Sequence, residues 1–372
     1  LPRLEITEGE TASFTNPQTI FLTMKGNALE LEGEVHSLKL SSEDEEQIIY
    51  EATVPLLSGE LSVDRITYQK TAEKLLLRIS GMEKEVVLEK FSSLMERKVN
   101  EYAEVELKAD LSHLSDNQKE LIGLLFQVAD LMEEIYWAQV FPDRDAALAS
   151  MMDDHMARFF RINYGPWERL NGNLPYQPGY GPKPKGSGFY PADMSLEEFD
   201  NLDDPEKSSL YTIITRDQKG SLQVIPYHEA YADQVQQASE LLKQASELAE
   251  DQGFKKYLEL RADALLSDDY LASDMVWMDM KDNDIDLVVG PIENYEDALF
   301  NYKAAHEAFI LIQDHSWSGK LDYINSILPQ MQRSRPVPEI YKQEVPGSNS
   351  DLGAYDVIYY AGDCNAGSKT IA

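Results

Sequence analysis

The hydrophobic period of this chain changes part-way along its length, and that change limits the folds open to it. From Leu4 to about Phe91, short β-branched or apolar runs alternate with turn residues: Thr19-Ile20-Phe21-Leu22-Thr23, Gln47-Ile48-Ile49-Tyr50 and Leu75-Leu76-Leu77-Arg78-Ile79. Ala28 to Val35 repeats with period two, as a half-buried antiparallel strand does. These runs predict a small β-sandwich-like module with a helical tail. From Leu111 the period becomes helical. Ser115 and Gln118 form a capping box ahead of Leu121, Leu124, Leu125, Val128, Leu131, Met132 and Ile135, a stripe that one helix face must bury. A chain built this way is α+β, with strands and helices segregated along the sequence.

Further along, Phe141-Pro142 interrupts the first helix and a second helical stretch runs from Ala146 to Phe160. Asn171 to Pro191 carries so many glycines and prolines that it predicts an ordered loop or a surface excursion. Tyr211 to Arg216 and Leu222 to Pro226 flank Asp217-Gln218-Lys219-Gly220, a hairpin by turn chemistry. Val235, Ala238, Leu241, Leu242, Ala245 and Leu248 then lie on one helical stripe, and Tyr257 to Leu266 resumes it. Ile285 to Ile292 reads as a buried strand and about Asp297 to Gln313 as a helix. Val357 to Ala361 reads as a strand, Asn365 to Ser368 as a turn, and Thr370-Ile371-Ala372 as the first residues of a returning strand. Coarsely, helical segments are expected at about 115–160, 228–280 and 297–330, and β segments at about 211–226, 285–292 and 355–372.

Charge narrows the partners. With 66 acidic against 33 basic side chains the net charge is -33, which repels a phosphate backbone and an anionic membrane alike. Neither nucleic acid nor membrane insertion is expected. Such a surface attracts cations, a peptide's free amino terminus among them, or simply keeps the protein solvated. The one cysteine, Cys364, excludes an internal disulfide framework and a multi-cysteine metal site. No apolar run approaches the ~20 residues that cross a bilayer. The opening Leu1-Pro2-Arg3 fits a removed export signal as well as a trimmed amino terminus, so the compartment stays open, with an extracytoplasmic (periplasmic) location slightly favoured over a cytoplasmic one.

Hydrolytic zinc sites bring histidines together by helical spacing, and His-Glu-x-x-His places two imidazoles one turn apart. The sequence lacks that motif. His228-Glu229 and His306-Glu307 have no second histidine at the required distance, His315 lies more than two turns after His306, and His113 and His155 stand alone. Each histidine therefore reads as structural or superficial, and no metal is expected on this chain. There is no Gly-x-Ser-x-Gly elbow, Walker loop or glycine-rich dinucleotide turn either.

Several longer blocks say more. Gly290-Pro291-Ile292-Glu293-Asn294-Tyr295-Glu296-Asp297 runs into Phe300-Asn301-Tyr302-Lys303-Ala304-Ala305. With it stand Ile162 to Leu170, Phe189 to Met194, Asp274 to Asn283, and Ala354 to Gly362 continuing through Asn365 to Thr370. In this order they resemble the bacterial branch of the dipeptidyl peptidase III family of zinc metallopeptidases. The resemblance covers roughly residues 106–372, and residues 1–105 form a β-rich accessory module that resembles nothing nameable. It implies a mainly helical lobe and part of a small β-barrel lobe flanking a cleft. It also implies a zinc-dependent exopeptidase that releases dipeptides from the amino terminus of short peptides. On that pattern Glu293 contacts the substrate's cationic amino terminus, Tyr295 donates a hydrogen bond to the peptide, and Asn294 lines the cleft between them. The competing reading makes Glu293 a solvated acid at the start of the helix expected from Asp297, where the helix dipole favours acids.

The family pattern continues into an Asn-x-Pro-Asn segment, a His-Glu-x-x-His or His-Glu-x-x-Gly-His helix and a further glutamate ligand, none of which this sequence contains. The expectation is an amino-terminal portion of such a peptidase, which contributes cleft residues without catalytic ones. Zinc would belong to the complete protein, and these 372 residues alone would be inactive. The alternative is a non-catalytic peptide-binding or scaffold protein that keeps the cleft without the metal.

Overall fold

The computed structural model describes residues 2–4, 22–25, 28–31, 34–56, 61–70, 74–81, 86–151, 153–177, 179–280, 283–343 and 353–366. They form two compact units, residues 1–104 with 145–183 and residues 105–144 with 184–372. The protein mixes helices with several antiparallel sheets, and among the described residues no sheet closes into a barrel. The carboxyl-terminal strands, expected to form part of a small barrel, make an open three-stranded sheet among the described residues.

The first unit begins with strands β1 (Pro2–Leu4), β2 (Leu22–Lys25), β3 (Ala28–Leu31), β4 (Glu34–Ser37), β5 (Lys39–Glu43), β6 (Gln47–Leu56), β7 (Leu61–Gln69), β8 (Lys74–Ile79) and β9 (Val86–Lys90), followed by helix α1 (Phe91–Asn100). A six-stranded antiparallel sheet has the order β1-β9-β8-β7-β6-β5, and β2-β3-β4 form a second sheet. The alternation from Ala28 to Val35 thus belongs to two strands paired as a hairpin, with Leu31 opposite Glu34, rather than to one strand. Period-two alternation continues through a tight reversal, so the pattern alone does not reveal the turn. Of the run from Thr19 to Thr23, residues 19–21 lie outside the described residues.

Helix α2 (Asp116–Val140) belongs to the second unit, after which the chain adds α3 (Arg144–Ser150), α4 (Asp154–Asn163) and the small hairpin β10 (Trp167–Glu168) and β11 (Leu174–Pro175). Leu94, Met95 and Val99 of α1 pack with Phe159 of α4 and with Tyr176 in the core of the first unit.

The second unit continues with α5 (Leu196–Asn201), the hairpin β12 (Thr212–Arg216) and β13 (Leu222–Pro226), α6 (Tyr227–Ala230), α7 (Ala232–Leu248), α8 (Gln252–Leu265) and α9 (Leu271–Asp279). Strands β14 (Ile285–Glu293) and β15 (Ala305–Gln313), helix α10 (His315–Ser334) and strand β16 (Tyr355–Gly362) complete it. The capping box forms as the sequence predicts: Gln118 N donates to Ser115 Oγ at 3.1 Å and Ser115 N to Gln118 Oε1 at 2.9 Å. The buried face of α2 presents Leu121, Leu125, Val128 and Met132 toward α7 and the β14-β15-β16 sheet.

The helix expected over 297–313 does not form. Residues 294–304 are an irregular turn and 305–313 are the central strand of the sheet, buried along most of its length. Alanine, glutamate and leucine give this segment helical propensity, but pairing with strands on both sides outweighs it. Ala298 and Asn301 adopt left-handed backbone, φ 50° and 58°, which a helix cannot contain. Helix begins only at His315, where Asp314 accepts a hydrogen bond from Trp317 N at 2.9 Å. The returning strand expected at 370–372 lies outside the described residues.

Candidate functional site

The antiparallel sheet of the second unit ends beside a cavity of about 670 Å³. Strand β14 alternates buried Ile285, Leu287 and Val289 with less buried neighbours, then reaches Gly290 and Pro291. Gly290 has φ +120°, and a β-carbon there would lie 3.4 Å from the Tyr270 ring. The backbone conformation favours glycine, whereas a β-carbon at that distance would only make ordinary contact with the ring. Between Pro291 and Glu293 the register with β15 shifts, so Ile292 is bulged out and Glu293 is turned at the strand end. Glu293 is half-buried and Tyr295 is 72% exposed, and both line the cavity. Asn294 is not among the lining residues; its Nδ2 donates to Asn301 O at 2.6 Å and braces the turn.

What holds that turn is Asp297, a fully buried carboxylate. One oxygen accepts from Tyr190 Oη at 2.9 Å, Tyr302 N at 2.8 Å and Lys303 N at 3.2 Å, and the other from Leu299 N at 3.1 Å. Charge-assisted bonds of this number offset the cost of burying the anion. Glu296 beside it is also buried, accepting from Tyr136 Oη at 3.3 Å and Ser187 Oγ at 3.1 Å. Glu293 therefore does not start a helix: it precedes a turn tied down by its neighbours.

Helices α8 and α9 supply the opposite wall. Arg261 is buried, pairs with Asp274 and lies 5.2 Å from the ring centroids of Tyr257 and Tyr270. Its Nε and the Tyr270 hydroxyl are buried without a hydrogen-bond partner among the described residues. Glu293 and Glu307 add two carboxylates, so the lining is acidic despite the single guanidinium. Burial pushes the Tyr257 phenol up to about 12 and the Tyr270 phenol well above its ordinary value, the latter with help from Asp268. Burial, and next Glu307, likewise raises the Cys364 thiol, whose Sγ lies 3.1 Å from Ala361 O. At neutral pH these groups stay protonated: the tyrosines are hydrogen-bond donors and the cysteine is not a ready nucleophile.

The histidines are spread along the chain, from His36 in β4 and His155 in α4 of the first unit to the four of the second. His306 is fully buried; its Nδ1 lies 2.9 Å from Gln139 Nε2, while Gln139 Oε1 accepts from His306 N at 2.9 Å. That arrangement makes Nδ1 the acceptor and puts the ring proton on Nε2. His228 Nδ1 lies 2.7 Å from Asp268 Oδ2. His113, expected to stand alone, instead meets His315 with ring centroids 5.3 Å apart.

Comparison with known proteins gives the site a context. No family model matches the sequence. A solved structure of DPP III from Caldithrix abyssi is 39% identical, with a TM-score of 0.69, over 74% of this chain and 54% of that one. This chain is a relative of dipeptidyl-peptidase III. The dipeptidyl-peptidase III from Corallococcus sp. strain EGB, 29% identical, matches at a TM-score of 0.66 over 75% of this chain and 54% of that one. Among curated proteins, Nudix hydrolase 3 of Arabidopsis thaliana is 29% identical over 75% of this chain and 44% of its own length. The chain spans about half the length of these relatives, and the name of the plant protein describes the whole of that longer molecule. The dipeptidyl-peptidase III likeness carries a peptidase-like fold.

A zinc ion, which the likeness implies, does not fit the cavity. Its lining holds Asp274, Glu293, Glu307 and Cys364 but no histidine, and among the described residues no three metal-ligating atoms converge there. Sequence reading singled out Glu293 and Tyr295 but missed Arg261, Tyr270, Glu307 and Asp297 as parts of the same neighbourhood. Of these only Asp297 falls in a family-like block of the sequence.

Proposed function

We propose that this chain supplies part of the substrate cleft of a zinc-dependent exopeptidase that releases dipeptides from the amino terminus of short peptides. The observation that carries the reading is that Glu293 and Tyr295 line one acidic cavity in a relative of dipeptidyl-peptidase III. A peptide ammonium leaving water needs a fixed carboxylate to offset its desolvation, and Glu293 at a braced strand end offers one. Tyr295 presents a hydroxyl that can donate to a peptide carbonyl. The buried Tyr270 hydroxyl and the Arg261–Asp274 pair form a polar wall that can fix the orientation of what enters. The cavity has the size of sites that enclose small ligands. Hydrolysis is not assigned to these residues, because the metal-bearing histidines of such an enzyme are not among these 372. Their part is binding and orientation.

The reading is tested in the complete protein with its zinc bound, using dipeptidyl-arylamide substrates. Glu293→Gln should lower kcat/KM for free-amino substrates by roughly one to two orders of magnitude, the loss of one charge-assisted contact worth ~1.5 to 3 kcal/mol. An amino-terminally acetylated substrate should be cleaved poorly by wild type and lose little more in the variant. Wild-type turnover of free-amino substrates by Glu293→Gln would overturn the assignment. A complete protein that binds free-amino peptides yet holds no zinc would be the peptide-binding alternative.

A further inference from the structure

We propose that His113, Asp284 and His315 form a binding site for a divalent late transition metal of the zinc type, separate from the cavity. The three side chains come from the turn before α2, the residue preceding β14 and the first residue of α10, and one ligand atom from each lies within 4.8 Å of the other two. His315 Nε2 is already 2.8 Å from Asp284 Oδ1, and the two imidazoles meet edge to face at 78°. Two ligands on a metal at ~2.0 to 2.1 Å bond length sit about 3 to 3.5 Å apart, so small side-chain rotations close the set. Two imidazole nitrogens and one carboxylate oxygen select zinc, cobalt, nickel or copper over calcium and magnesium, which favour all-oxygen sites.

The backbone under each ligand is held independently. Leu114 N donates to Leu111 O at 3.2 Å and Leu114 is buried, which fixes the turn that carries His113. Gln313 N donates to Asp284 O at 2.9 Å, and buried Asn283 bonds Ile285 O at 2.7 Å. Asp314 caps α10 and its own N–H donates to Ala354 O at 2.8 Å. Gln118 Nε2, 3.5 Å from Asp284 Oδ2, orients the carboxylate from behind. On metal binding the Nε2 proton now shared with Asp284 moves to Nδ1, and the metal takes its place. The exposed outer face leaves the fourth position to water. The metal would pin the start of α10 and the turn before α2 to the edge of the sheet.

The test uses the 372-residue chain, stripped of metal with chelator, so that no catalytic zinc competes. Calorimetric titration with Zn²⁺ should give one equivalent bound with micromolar or tighter affinity and a rise in melting temperature. Co²⁺ should develop visible absorption bands. His113→Ala, an exposed substitution that should leave the circular dichroism unchanged, should weaken Zn²⁺ by more than about tenfold, and Asp284→Asn should do the same. His155→Ala is the control and should change nothing. Absence of saturable uptake, or uptake that His113→Ala and Asp284→Asn both leave unchanged, would overturn the site.

Discussion

The two units handle charge differently. In the first, ion pairs such as Arg78–Asp64, Lys70–Glu43 and Lys39–Glu51 lie at the surface, and Glu168, paired with Lys98, is the one charged side chain buried among its described residues. In the second, Arg261, Glu296, Asp297, Lys303, Glu307 and Asp363 are all buried, together with His306. Surface pairs contribute little to stability, whereas buried charges are costly unless fully partnered. A protein that keeps six of them in one unit uses them to fix geometry, and several stand under the turn that presents Glu293 and Tyr295. Among its described residues the first unit is built by apolar packing and has no comparable arrangement.

The sharpest way to break this comparison is to remove one buried anchor. Asp297→Ala strips an acceptor from five donors and leaves Lys303 without its main counter-charge, and it should lower unfolding stability by about 3 to 5 kcal/mol in urea. The matching change in the first unit, Asp64→Ala, should leave the urea midpoint unchanged within error. If both variants behave alike, burial of charge does not distinguish the units.

A second effect depends on pH. Burial pushes the His306 imidazole down to about 3 from its ordinary 6.5. The unfolded chain therefore takes up a proton below about pH 6.5 that the folded chain does not accept until near pH 3. The contribution of neutral His306 is complete above pH 6.5 and is lost as pH falls between those values, amounting to ~2 kcal/mol at pH 5. His306→Gln, whose amide can still meet Gln139, should flatten the stability profile between pH 6.5 and 5. Equal slopes for variant and wild type would show that His306 is not buried in solution.

The smallest effect is expected where a buried polar group has no partner. Tyr270→Phe removes a hydroxyl that bonds nothing among the described residues, so unfolding stability in urea should stay within about 0.5 kcal/mol of wild type or rise. Peptide affinity should fall all the same if that hydroxyl faces the ligand. A large loss of stability would mean the hydroxyl has a structural partner.

Much of the fold was legible in the sequence because it rests on local signals. The Ser115–Gln118 capping box, the α2 and α7 stripes, the Asp217–Gly220 turn and the 285–292 strand each follow from spacing within a few residues. The segment 297–313 was misread because long-range pairing decided it, and its alanines, leucines and one glutamate pointed the other way. The left-handed Ala298 carries no sequence mark at all. Glu293 and Tyr295 could be singled out through resemblance alone. His113, Asp284 and His315 were beyond spacing arguments, since folding brings them together from three distant segments.

The central claim is that Glu293, unlike the buried Asp297, keeps its carboxylate for a ligand's cation. Calorimetric titration of the chain with a free-amino tetrapeptide and with its acetylated form measures this directly. The account predicts that wild type binds the free-amino peptide more tightly than the acetylated one by roughly tenfold or more, and that Glu293→Gln, with an unchanged urea midpoint, abolishes the difference. Equal affinity of wild type for the two peptides, or a preference that survives Glu293→Gln, would contradict it.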